Sequence, residues 1–218
     1  MARQELTEEA IRTEAVRFAA EESELAEPSL YGVTDGKAVG TYLEQKFRAR
    51  LATRYVFREG NSAKGIDFPD IGVDIKVTSF RQPQSSCPFK SPRQKVFGLG
   101  YSLLVFVYEK VDDALRRTAR LDIKHTIFVN ADANGDYTMT RRLREMVADA
   151  ANIEDIVAFL GDRNLPLDDI GARELAKEIF DSPPRLGYLT ISNALQWRLQ
   201  YGHAIAEAGL AEGVLRLS

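Results

Sequence analysis

The chain has 218 residues, 44% of them hydrophobic and 28% charged, with a net charge of −3, an ordinary globular composition that excludes a disordered or collagen-like protein. One core at this length buries roughly 70% of the unfolded surface, so a single domain over residues 1–218 is expected. The lone cysteine, Cys87, with only His125 and His203, excludes an internal disulfide and a closed four-ligand zinc site. No apolar run approaches the ~20 residues that span a bilayer, so a reducing, cytoplasmic setting away from membranes is expected.

In chain order, residues 7–27 and 36–55 read as helices. The first opens on Thr7-Glu8-Glu9, the second follows the turn Thr34-Asp35-Gly36, and Leu43, Phe47, Leu51 and Tyr55 fall at spacing four as one buried stripe. Gly60-Asn61 breaks the second helix. Residues 71–78 (IGVDIKVT) alternate as a strand, and residues 101–108 (YSLLVFVY) form the unbroken β-prone run of a strand buried on both faces, with 126–130 its expected neighbour. After residue 140 the pattern turns helical over 141–160, 168–180 and 188–208, the last two separated by Ser182-Pro183-Pro184. Helices, three strands and more helices predict an α/β sandwich.

Charge is unevenly placed. Residues 1–30 and 150–181 each carry eight acids against three bases, whereas residues 36–64 carry seven bases against two acids, and 75–97 carry five bases and no acid. A basic middle between acidic ends fits either a polyanion footprint or a solvated face.

Residues 60–86 hold the chemistry. In a strand, Asp74 and Lys76 project to one side, and Phe68-Pro69-Asp70-Ile71-Gly72 can turn the chain to bring Asp67 beside them. Two converging carboxylates repel unless a cation lies between them, and hard oxygen ligands without thiolate or imidazole select Mg²⁺. Lys76 beside the ion would orient a water for attack on a phosphodiester. The alternative reading is an Asp74–Lys76 ion pair on a solvated face. Asp122-Ile123-Lys124 repeats the triplet without the upstream acid or the basic loop, and reads as structural.

The segment DFPDIGVDIK, residues 67–76, resembles the catalytic stretch of the PD-(D/E)xK nucleases, the superfamily of MutH and many type II restriction endonucleases. Residues 36–44 (GKAVGTYLE) resemble that family's first catalytic helix, in which an acid facing the metal follows a glycine by four residues. The resemblance implies a restriction-endonuclease-like α/β sandwich, with a central mixed sheet, a catalytic core over about 36–135 and a helical C-terminal part over about 140–218. It also implies Mg²⁺, replaceable by Mn²⁺, held by Glu44, Asp67, Asp74 and the Ile75 carbonyl, with Lys76 as catalytic lysine. Asp74 stands where the nearest members of the family have glutamate, and Glu44 also reads as an exposed helix residue near Lys46 and Arg48.

After the lysine, Ser79, Arg81, Gln82, Gln84, Ser85 and Ser86, followed by Lys90 and Arg93 and preceded by Lys64, form a polar, cationic loop suited to bases and phosphates; the alternative is a solvated connection. On the expected helix over 188–208, Asn193, Gln196 and Gln200 make an amide face beside Arg198. That face can enter a major groove, helix-turn-helix fashion, or simply meet solvent. The function expected is a Mg²⁺-dependent type II restriction endonuclease acting on double-stranded DNA as a two-fold dimer, with a cognate DNA methyltransferase as genetic partner. The alternatives are a MutH-like repair nickase and a noncatalytic DNA-binding protein on a nuclease fold.

Overall fold

A computed structural model describes residues 3–60, 66–88, 90–192 and 197–218, with Trp197 described by its backbone alone. Lys64, Asn193 and Gln196 lie outside the described residues.

The first helix, α1 (Glu8–Ser23), starts where Thr7 accepts the Ala10 N–H, and α2 (Gly36–Ala52) starts where Asp35 accepts the Lys37 N–H. Both stop short of their expected ends. Past α1 the chain enters a 3₁₀ turn at Pro28–Leu30, and past α2 it becomes the short strand β2 (Tyr55–Val56), paired in parallel with β1 (Gln4–Glu5). Leu43, Phe47 and Leu51 are fully buried, while Tyr55 reaches the same core from β2.

Four strands form the main sheet: β3 (Val73–Ser79), β5 (Ser102–Asp113), β6 (Thr118–Val129) and β9 (Val214–Arg216), in the order β3-β5-β6-β9. The sheet is mixed, because β3 runs parallel to β5 and the other pairs are antiparallel. The run YSLLVFVY fills the central strand and is buried throughout. The expected strand at 126–130 is the end of the much longer β6, whose first half alternates polar and apolar residues. There Asp122, Lys124 and Arg120 face outward while Leu121 and Ala119 are buried.

Alternate residues of β3 divide two cores. Val73, Ile75 and Val77 pack with α1 and α2, where Phe18, Phe47 and Phe106 meet at centroid distances of 5.1–5.6 Å. Each such aromatic pair adds about 0.5–1.5 kcal/mol beyond area burial. The opposite face of the sheet packs on a second, three-stranded sheet, ordered β4 (Gln84–Cys87), β8 (Trp197–Gln200), β7 (Thr190–Ile191), together with α7 (Gly202–Glu207). A third core joins the end of α3 (Arg93–Phe97) to α4 (Tyr137–Ala148), α5 (Ile153–Asp162) and α6 (Asp169–Asp181).

Two helical expectations are corrected. Residues 141–160 do not form one helix, because Ala150 takes a left-handed φ of 59° and Asn152 caps α5 through a capping box with Asp155. Residues 188–208 do not form one helix either: among the described residues, Thr190–Ile191 and Trp197–Gln200 are strands, and helix is confined to Gly202–Glu207. Ile191 and Leu199 face the same core because they stand directly opposite each other on β7 and β8. With that helix goes the expected helix-turn-helix, Gln200 stands on a strand instead, and among the described residues the C-terminal part is helical from α4 to α6 and again in the short α7.

The charge pattern is also reinterpreted. Glu14, 1% exposed, contacts Arg17, Arg50 and Arg54 at 2.8–3.2 Å, and Glu22 contacts Lys46 at 2.9 Å. Arg58 pairs with Asp70 and Arg48 with Asp67. The acidic first helix thus neutralises much of the basic second helix, and that segment is largely an internal ion-pair layer rather than a free polyanion footprint. Among the described residues no helix is long and apolar enough to cross a membrane.

Candidate active site

The carboxylates meet at the open edge of the main sheet. The Phe68 N–H donates to the Val73 carbonyl at 2.9 Å and the Val73 N–H to the Phe68 carbonyl at 3.2 Å, so the chain folds back on itself across residues 68–73. Gly72 closes this turn with φ +60°, a conformation costly for any residue with a Cβ. Asp67 is thereby carried alongside Asp74, and its Oδ2 accepts the Ile75 N–H at 2.8 Å. A strand residue directs its N–H and C=O to the same side, so the Ile75 carbonyl faces this open edge as well.

Asp74 is 2% exposed, and its Oδ2 lies 2.8 Å from Lys76 Nζ yet has no aligned hydrogen-bond donor among the described residues. The pair therefore exists, but in a buried setting and not on a solvated face. The second triplet behaves oppositely. Lys124 contacts Asp122 at 2.6 Å and Glu109 at 3.4 Å, with all three side chains about one-third exposed. Burial raises the Asp74 carboxyl, Lys76 pulls it down, and the Asp67 charge pushes it up again, for a net upward shift. For Lys76, burial alone would lower its affinity for a proton, but Asp74 overrides it and holds the side chain as an ammonium.

Glu44 projects from α2, half-buried, into the same cleft as Lys76. Burial raises its carboxyl first, the Asp67 charge raises it further, and Lys76 and Arg48 offset part of the shift. One helical turn on, Arg48 grips Asp67 Oδ1, while its buried Nε has no hydrogen-bond partner among the described residues. Arg48 is a site residue that sequence reasoning overlooked, although its spacing of four from Glu44 places it on the same helical face.

Among the described residues, no three His, Cys, Asp or Glu side chains converge closely enough to hold a metal ion between them. The fit is with a more open site. Mg²⁺ binds through one or two carboxylates and keeps several waters, and Asp67 and Asp74 supply hard oxygens, one of them buried without an aligned donor.

From β3 the chain turns tightly into β4. The Gln82 N–H donates to the Ser79 carbonyl at 3.3 Å, and Thr78 Oγ1 accepts the Gln84 N–H at 2.8 Å, which puts Arg81 and Gln82 at an exposed tip. Ser79, Arg81, Gln82, Gln84, Ser85 and Ser86 all line one cleft of about 790 Å³ with Glu44 and Lys76. Other expected contacts lie elsewhere. Arg93 pairs with Glu178 on α6 and covers Phe97, and Lys90 lies over the Tyr101 ring. Gln200 is exposed on β8, opposite Gln84. Cys87 is buried 3.4 Å from the Tyr101 hydroxyl, with no histidine in contact.

Two carboxylates and a lysine thus meet at one sheet edge, and the lysine faces a polar cleft that a helical glutamate also lines. Comparison with known proteins gives the family. The family model described as type II restriction enzyme NspV matches residues 5–216, and the chain is 62% identical over 210 residues to the type II restriction enzyme NspV of a Nostoc species, covering 96% of each chain. The chain belongs to the NspV family of type II restriction enzymes. No solved structure matches it.

Proposed function

We propose that the chain is a Mg²⁺-dependent endonuclease of the PD-(D/E)xK kind that hydrolyses both strands of DNA at a short specific sequence. The observation that carries this reading is the placement of Asp67, Asp74 and Lys76 together at one open sheet edge, with Lys76 on the wall of the cleft that Glu44 also lines. Asp67, Asp74 and the Ile75 carbonyl would hold the ion, with Glu44 of α2 as a further carboxylate lining the same cleft as Lys76. The ion, when bound, neutralises charge on the phosphate and acidifies water. Mn²⁺ fits the same hard-oxygen set.

The chain's own residues do the rest. Held as an ammonium by Asp74, Lys76 is a donor rather than a base. It orients the attacking water and stabilises the negative charge that develops as the water loses its proton. The water oxygen bonds to phosphorus as its proton passes to bulk water, while the bond from phosphorus to one sugar oxygen breaks and that oxygen takes up a proton from a second water molecule. Arg81, Gln82 and the serines of the β3–β4 turn hold the duplex against this edge. Cutting both strands at a palindrome suits a two-fold dimer, and such an activity inside a cell requires a methyltransferase that protects the host's own sites. The family match favours restriction over repair nicking.

The test is digestion of unmethylated phage DNA with Mg²⁺, with Mn²⁺ and with EDTA, followed by sequencing of the fragment ends. Discrete ends at one short sequence, absent in EDTA, are expected. Random degradation, or cutting that survives EDTA, overturns the proposal.

A further inference from the structure

We infer that the β4–β8 ribbon is a base-reading element and that Arg198 is its guanine contact, an inference that rests on the chain being a DNA endonuclease. Ser86 stands opposite Arg198 and Gln84 opposite Gln200 in the antiparallel pair. Strand alternation puts these four side chains on one face. The other face is built into the protein: Cys87 and Leu199 are fully buried, and Ser85 Oγ is hydrogen-bonded to the buried Tyr201 hydroxyl at 2.6 Å. The ribbon is therefore a rigid platform with polar side chains on its open side.

Arg198 is exposed and lines the cleft that holds Glu44 and Lys76. Its backbone is fixed by Ser192, whose N–H donates to the Arg198 carbonyl at 3.1 Å and whose Oγ accepts the Arg198 N–H at 3.3 Å. Among the described residues its guanidinium meets no carboxylate, unlike Arg48, Arg50, Arg54, Arg58 and Arg93. Two other cations on the cleft wall, Lys37 in the first turn of α2 and Arg81 at the β3–β4 tip, are likewise without a carboxylate.

The surroundings separate their roles. Lys37 and Arg81 stand on a helix start and a turn tip, where a point charge can follow a phosphate. Arg198 is flanked by two amides and a hydroxyl on a strand, where same-face residues are about 6.7 Å apart, close to two base-pair steps of about 3.4 Å. A two-stranded ribbon fits the major groove, in which arginine pairs bidentately with guanine and glutamine with adenine.

The test measures binding of short duplexes in Ca²⁺ on a Lys76→Ala background, which keeps every carboxylate. The duplexes carry the sequence mapped from wild-type digestion and each single base-pair change within it. Arg198→Ala and Arg198→Lys are both expected to lose about 5- to 150-fold on the mapped sequence, to lose discrimination at one G·C pair and to bind unrelated DNA as before. Lys37→Ala and Arg81→Ala are expected to weaken all duplexes alike. Equal loss on every duplex with rescue by Arg198→Lys, no change in either variant, or a mapped sequence without a G·C pair overturns the inference while the endonuclease stands. A wild-type chain that cuts no duplex DNA overturns the endonuclease reading and the inference with it.

Discussion

Asp67 Oδ2 accepts the backbone N–H of Ile75 at 2.8 Å, so one catalytic candidate is oriented by the residue that lies between the other two. The same carboxylate binds Arg48 through its other oxygen. Asp67→Asn keeps an oxygen that accepts the Ile75 N–H but removes the charge that a divalent ion needs. The variant is expected to melt about 2–4 °C below wild type, because its amide nitrogen cannot replace the oxygen that Arg48 grips, and to cleave on the order of 100-fold more slowly or worse at the same Mg²⁺. Thermal melting and a plasmid-cleavage time course check both halves. Wild-type cleavage removes Asp67 from the ligand set.

The two Asp-Ile-Lys triplets make an internal control. Lys76→Ala removes the buried donor beside Asp74 and is expected to lower the cleavage rate on the order of 10²–10⁴-fold. Lys124→Ala removes a solvent-facing cation on β6 and should cut at the wild-type rate and melt close to wild type. Single-turnover cleavage of both variants decides it. The reverse ranking assigns the chemistry to the wrong strand.

The candidate site's geometry was legible where local chemistry determines it. The Pro-Gly turn before β3, the two-residue alternation of Asp74 and Lys76 and the cap before α2 are all short-range signals. What the sequence hid is long-range. Arg48 matters only because the turn at residues 68–73 carries Asp67 back to it across 19 residues. β4 read as a loop because Gln84-Ser85-Ser86 has no β propensity of its own, and it is a strand because β8 pairs with it from more than 100 residues away. The helix expected at 188–208 failed for the same reason, since β8 in its middle is held as a strand by β4, more than 100 residues earlier.

Glu14 ties α1 to α2 through Arg50 and Arg54, and its loss should be felt in stability alone. Glu14→Gln leaves these arginines without their shared partner. The cost is expected to be about 2 kcal/mol, below that of a fully buried pair because Arg54 and Arg17 are more than half exposed. Melting should fall by about 4–8 °C at pH 7. Burial pushes the Glu14 carboxyl up, but Arg50 and Arg54 outweigh it and hold it below the unfolded value of 4.5. A lowered carboxylate contributes stability above the unfolded value and loses it as pH falls through the folded one, so the gap between variant and wild type should close below pH 4.5. A gap that stays constant down to pH 3 removes the ion-pair explanation.

Glu44 is the member of the constellation farthest from β3 in sequence, and its environment favours a bound cation. Burial and the Asp67 charge both raise its carboxyl in the metal-free protein, and a divalent ion between the carboxylates would relieve that repulsion. Glu44→Gln keeps shape and helix propensity and removes one negative charge. Cleavage is expected to fall steeply at low Mg²⁺ and to recover in part at high Mg²⁺ or in Mn²⁺. Direct Mn²⁺ binding should weaken about 10- to 100-fold, and DNA binding should stay equal or tighten because one repulsion against phosphate is gone. Glu59→Gln, an exposed acid just past β2, is the control and should follow wild type throughout. A Mg²⁺ titration and a Mn²⁺ binding curve in which both variants overlay wild type would place Glu44 outside the metal's reach and leave Asp67, Asp74 and Lys76 as the whole site.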